Sequence, residues 1–214
     1  MVVGNVCDKL HVPIIVIHGT ANKAFAESKV SRMPCVSELL EVNAPNLDSQ
    51  SYSKLLTSAA FWDRLQEADK TLIFQTDSGI CGPGEDLDLF MSYDYCGAPW
   101  EWEPSGANVG NGGFSLRTSS VALRHVQQHG PSTQNEDSEF VAWCQEDAGC
   151  HICPTDVAKK FSTESVPSPA WAFHNNGAYT HATTCPFNAQ INAVEPVEWE
   201  HPVPDVEGWD PVLT

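Results

Sequence analysis

Three short β-prone runs with helical spacing between them restrict the fold of this chain more than any other feature. PIIVIHG (13–19) reads as a compact strand stopped by Gly19, VSELLEV (36–42) as a second and LIFQTD (72–77) as a third. Between the last two, SYSKLLTSAAFWDRLQEA places Tyr52, Leu55, Leu56, Ala59 and Trp62 three and four positions apart, which is one face of a single helix. Strand, helix, strand over that distance predicts a βαβ crossover. The expected class is therefore α/β, with a mostly parallel central sheet flanked by helices.

Beyond Asp77, Gly-Pro-Gly marks a turn, EDLDLF a short helix and DYCGAPW a brief extended piece. VGNGGFSLR (109–117) predicts a Gly-rich turn that runs into a strand, after which Thr118 or Ser119 caps a helix reaching Gln128. A further helix is expected to start near Glu136-Asp137. From Pro186 onward Pro, Glu and Trp dominate without periodicity, so a domain is expected over 1–185 and an irregular acidic tail over 186–214.

The 28 acidic residues against 11 basic ones give a net charge of −17, which argues against nucleic acid or an anionic membrane surface as a general partner. An anionic small molecule is compatible with that charge if a metal ion supplies the positive charge. No run approaches the roughly 20 apolar residues of a membrane span. The first residues lack the basic n-region of a secretion signal, and a cytoplasmic protein is expected. The eight cysteines are irregularly spaced and read as free thiols packed as small hydrophobes. CQEDAGCHIC, with Cys144, Cys150, His151 and Cys153, offers structural zinc as the alternative.

Four places could carry chemistry. Asp77 stands at the C-terminal mouth of a strand, where ligands of open α/β sheets bind, with Thr76 beside it; it either holds a divalent metal or caps the next turn. Asn111-Gly112-Gly113 would suit backbone lying against a ligand or merely a tight turn, and Arg117 either pairs with an anion or sits as a surface charge. Glu136 and Asp137 open a helix, which favours the helix dipole, or one faces a cleft as general base. His174 follows an apolar WAF and by itself is more often structural than a ligand.

Taken in order, LIFQTDS, YDYCGAPW, VGNGGFSLR, NED, FSTES and the late FH resemble the family catalogued as domain of unknown function 5672, over roughly residues 5–176. That family looks like a branch of the GT-A glycosyltransferases, which move a sugar from a nucleotide-sugar donor, typically UDP-linked, to a hydroxyl-bearing acceptor. The resemblance implies a mostly parallel GT-A-like sheet. It makes Asp77 the metal-reaching carboxylate of the strand-end motif, with Gln75 and Thr76 beside the donor and His174 as second ligand to Mn²⁺ or Mg²⁺. It makes Glu136 or Asp137 the base, and sets Asn111, Gly112, Gly113 and Arg117 against donor or acceptor. Relative to that family the chain opens without the first, nucleotide-binding strand. Two rival readings follow: an inactive remnant of the fold with a carbohydrate-binding or structural role, and a zinc-stabilised interaction protein built around Cys144 to Cys153.

Overall fold

The computed structural model describes residues 2–101, 109–175 and 185. Helix α1 (Val2–Leu10) leads into strand β1 (Ile14–His18), and short helical turns including α2 (Lys23–Phe25) return the chain to β2 (Val36–Glu41), which pairs parallel with β1. Two helices follow, α3 (Ser49–Leu56) and α4 (Ala59–Leu65). A capping box between Asp48 and Ser51 starts α3. The single helix expected here is broken at Ser58, whose extended backbone (ψ 142°) and side-chain oxygen cap α4 instead of continuing α3.

Strand β3 (Lys70–Phe74) lies earlier than expected, because Gln75 to Ser78 form a turn closed by the Ser78 N–H and hydroxyl on the Gln75 carbonyl. Then come β4 (Gly79–Ile80), a 3₁₀ turn over Gly84–Phe90, β5 (Tyr95–Pro99) and β6 (Val109–Thr118). Helices α5 (Ser119–His129), α6 (Glu136–Glu146) and α7 (Thr155–Phe161) precede β7 (Ser162–Thr163) and β8 (Ala172–Phe173).

The domain is α/β, but the expected mostly parallel central sheet is corrected. The sheet between the helices has the order β3-β6-β5 and is antiparallel throughout. Parallel pairing occurs at β1–β2 and at β7–β8, the latter in a small sheet of order β4-β8-β7. The reason lies in β6. The glycines of VGNGGFSLR do not turn the chain; the whole segment is one long strand that takes β3 on one side and β5 on the other. Helices α3 and α4 lead into β3, which pairs with β6 and, among the described residues, with neither β1 nor β2, so the predicted βαβ unit is not seen there.

The β3-β6-β5 sheet separates two cores. Phe114, Leu116 and Cys96 point to one with α1 and α7, whereas Tyr95 joins Trp62, Val126 and Phe140 of the helices on the other face. Residues of β1 and β3 also alternate between these cores: Val16, Leu72 and Phe74 reach the first, Ile17 and Ile73 the second. Among the described residues no ladder joins β1 to β3, and all five residues of β3 stay half-buried while every residue of β5 is buried.

All eight cysteines are paired: Cys7–Cys35, Cys81–Cys185, Cys96–Cys153 and Cys144–Cys150, with Cα–Cα distances of 5.2–5.6 Å. This corrects the expectation of free thiols. It also removes the zinc alternative, since Cys144 and Cys150 bond each other and Cys153 bonds Cys96. Among the described residues no helix is long and apolar enough to cross a membrane. The acidic tail expected over 186–214 lies outside the described residues.

Candidate functional site

The turn after β3 places Gln75 and Asp77 at the strand's C-terminal end, and the β4-β8-β7 sheet brings His174 to meet them. His174 Nε2 lies 3.0 Å from Gln75 Oε1 and 3.4 Å from Asp77 Oδ1. Its Nδ1 lies 3.3 Å from Glu164 Oε1. The ring is held from beneath by β6, where a Cβ on Gly113 would overlap it. Gly113 also accepts the Gln75 N–H through its carbonyl, at 2.9 Å, so strand pairing and ring packing locate the same residue. Thr76 is exposed beside the cluster, and the Asp77 side chain is 43 % exposed, which leaves this end open to solvent.

The neighbouring glycine serves the acidic pair. A Cβ on Gly112 would overlap the Glu136 carboxylate and crowd Asp137. The Gly112 N–H donates to Asp137 Oδ2 at 3.1 Å, and the Ser138 N–H donates to Oδ1 at 2.7 Å. Asn111 is buried and its Oδ1 accepts the Gly113 N–H at 3.2 Å, bracing this stretch of β6. The two acids face different surroundings. Asp137 is half-buried, whereas Glu136 is 4 % exposed and turns to Arg117 on the inner face of the sheet.

Arg117 is 1 % exposed. Its Nη2 lies 2.7 Å from Glu136 Oε2, close enough for a salt bridge but without the alignment of a hydrogen bond. The guanidinium is enclosed by Phe140 at 4.6 Å, Tyr95 at 5.0 Å and Trp62 at 5.9 Å from the ring centroids, an aromatic cage that takes the place of water. The Tyr52 hydroxyl is buried beside this pair, and burial together with the Glu136 charge pushes its pKa up. Arg117 thus lies beneath the cluster and not on its open surface.

These surroundings set the protonation states. Burial pushes the Glu136 carboxyl up, and Arg117 draws it back only part of the way. Asp137 is also raised by burial, against the N–H groups of Gly112 and Ser138. Burial alone would lower His174, but hydrogen bonds to Asp77 and Glu164 and their charges outweigh it and raise the imidazole to about 9. Burial would likewise raise Asp77, yet His174 holds it below the ordinary 3.8.

The His174 contribution to stability is therefore complete below its ordinary value of 6.5 and is lost as pH rises through about 9; the Asp77 contribution is present above 3.8. In metal-free protein kept in chelator, the stability difference between wild type and His174→Asn is expected to shrink by about 1–3 kcal/mol between about pH 6.5 and about pH 10. Thermal melts at both pH values check this, and a pH-independent difference would remove the charged pair.

Among the described residues no group of three or more His, Cys, Asp and Glu side chains is arranged around a common point to hold a metal ion. Asp77 and His174 offer two donors on one side of the ring, with Glu164 on the other. Mg²⁺ and Mn²⁺ need no more than that from a protein when phosphate and water complete the shell. Two donors alone do not make a metal site, so phosphate and water would have to supply the rest of the shell of any divalent cation held here.

Glu164 is the residue that sequence reasoning misses. It stands inside FSTES, a block that carries the family resemblance, but no spacing rule singles it out. The class defined by fold and site is an α/β domain with a carboxylate–histidine cluster at a strand end and an acidic helix start across a glycine pair. The chain belongs to the family described as Protein of unknown function (DUF5672), which matches residues 38–179, more than half of its length. No curated protein matches it significantly.

Proposed function

We propose that this domain is a glycosyltransferase that moves a sugar from a UDP-type donor to a hydroxyl-bearing acceptor. The observation that carries the reading is the convergence of Gln75, Asp77, His174, Asp137, Gly112 and Gly113, drawn from four separate parts of the sequence, on one open strand end. Asp77 and His174 would hold a divalent cation there. When bound, that cation would neutralise the diphosphate as the glycosidic bond breaks. Gln75 and Thr76 would lie beside the donor, and Asn111, Gly112 and Gly113 would let it approach the backbone.

Of the two acids, Asp137 suits the base. It is half-buried, oriented through both oxygens by backbone N–H groups, and raised in pKa, which readies it to take the acceptor hydroxyl's proton. Glu136, held against Arg117, would support the start of α6 and keep Gly112 in place. The four disulfides support folding in an oxidising compartment rather than the cytoplasmic location expected from the sequence.

Calorimetric titration with UDP, with and without Mn²⁺, tests the reading. Mn²⁺-dependent binding is expected and should vanish in Asp77→Ala; binding unchanged in that variant would take Asp77 out of the site. With a donor in hand, Asp137→Asn is expected to spare binding and lower turnover ~10²–10⁴-fold. The split between β1 and β3 favours a second reading, a domain that binds carbohydrate without turnover. UDP-sugar or glycan binding with no transfer to any acceptor would select it.

A further inference from the structure

We propose that the Arg117–Glu136 pair is completed by one buried water, which accepts from an Arg117 Nη–H, donates to Glu136 Oε2 and bonds the Tyr52 hydroxyl. The ligand of this internal site is a neutral molecule that can both donate and accept, and the inference stands apart from any donor or acceptor sugar.

The donors and acceptors at this point do not balance among themselves. A guanidinium carries five N–H donors. In Arg117 the Nε–H goes to Ser115 Oγ at 3.0 Å. Among the described residues Nη1 and Nη2 have no hydrogen-bond acceptor, and neither Glu136 Oε2 nor the Tyr52 hydroxyl has a partner, although all four atoms are buried. They come from β6, α6 and α3 and meet in one place, since the charges of Glu136 and Arg117 both act on the Tyr52 hydroxyl. Buried polar atoms are nearly always paired, with protein or with ordered water.

The neighbouring side chains have nothing left to give. The rings of Trp62, Tyr95 and Phe140 enclose the guanidinium. The Tyr95 hydroxyl is spent on the Gly110 carbonyl at 2.6 Å, the Trp62 indole N–H on the Leu56 carbonyl at 2.6 Å, and the Ser53 hydroxyl on the Glu136 N–H at 3.3 Å. One guanidinium and one carboxylate already balance in charge, so an ion of either sign would leave an uncompensated buried charge. A water fits, because three bonds to otherwise unsatisfied groups are what a buried water typically makes. Gly112 lies over the Glu136 carboxylate and separates this water from the open strand end.

The test is a pair of high-resolution crystal structures of the full chain, wild type and Tyr52→Phe, with urea unfolding of both. Wild-type crystals soaked in bromide, read by anomalous scattering, identify an anion if one sits there. In wild type a water is expected within about 3 Å of the Tyr52 hydroxyl, an Arg117 Nη and Glu136 Oε2. Tyr52→Phe keeps the ring and removes one of the three contacts, and is expected to raise the unfolding equilibrium constant ~5–30-fold. A Tyr52 hydroxyl bonded directly to Glu136 or Arg117, with no water between them, overturns the proposal. So does a bromide signal at that point. An unfolding constant for Tyr52→Phe within about twofold of wild type also overturns it, by taking the hydroxyl out of the site.

Discussion

Arg117→Met is expected to destabilise the domain by about 3–5 kcal/mol, because it leaves the Glu136 carboxylate buried without its counter-charge. For a chain of this length that corresponds to a fall in melting temperature of roughly 10 °C. Apart from Glu136, the Arg117 side chain has one neutral partner in the protein, its Nε donating to Ser115 Oγ at 3.0 Å. Trp62, Tyr95 and Phe140 close around the guanidinium, and Gly112 lies directly over the carboxylate. Replacing both partners removes the buried charges together, so Arg117→Met/Glu136→Met is expected to recover most of the loss. Urea unfolding of the two single variants and the double variant closes the cycle. Additive losses would mean that the two charges do not stabilise each other.

The Cys96–Cys153 bond should have an effect of similar size. It closes 57 residues, and both cysteines are at most 1 % exposed in the core beneath the β3-β6-β5 sheet. Loop-closure entropy alone gives about 4 kcal/mol for a link of that span, against about 2 kcal/mol for Cys144–Cys150, which closes 6 residues. Cys96→Ala/Cys153→Ala is therefore expected to lose about twice as much stability as Cys144→Ala/Cys150→Ala. Equal losses in denaturant unfolding would show that the links act on the folded state and not by restricting the unfolded chain.

Sequence reasoning reached furthest where the controlling interactions are local. PIIVIHG and VSELLEV are strands β1 and β2 because a short, largely apolar run needs no distant partner to declare itself. Helix α6 starts at Glu136, where acids meet the N-terminal dipole, and α5 follows Thr118. The one helix expected before β3 failed at Ser58 because a cap and a helix interior differ by a single ψ angle that periodicity does not see. At 109–117 the glycines by themselves predict a turn. Their actual cause is side chains arriving from elsewhere, Glu136 over Gly112 and His174 over Gly113.

By itself, then, the sequence determined where the first two strands and helices α5 and α6 lie, the α/β class, and which residues were worth watching: Gln75, Asp77, Asn111 to Gly113, Glu136, Asp137 and His174. Only the tertiary structure decided that β6 pairs antiparallel with β3 and β5, that every cysteine has a partner, that Arg117 lies against Glu136, and that Glu164 stands behind His174. The physical reason is range. Strand and helix signals depend on neighbours a few residues away, whereas Gln75 meets His174 across 99 positions and Cys81 meets Cys185 across 104, contacts that exist only once two cores have closed around one sheet.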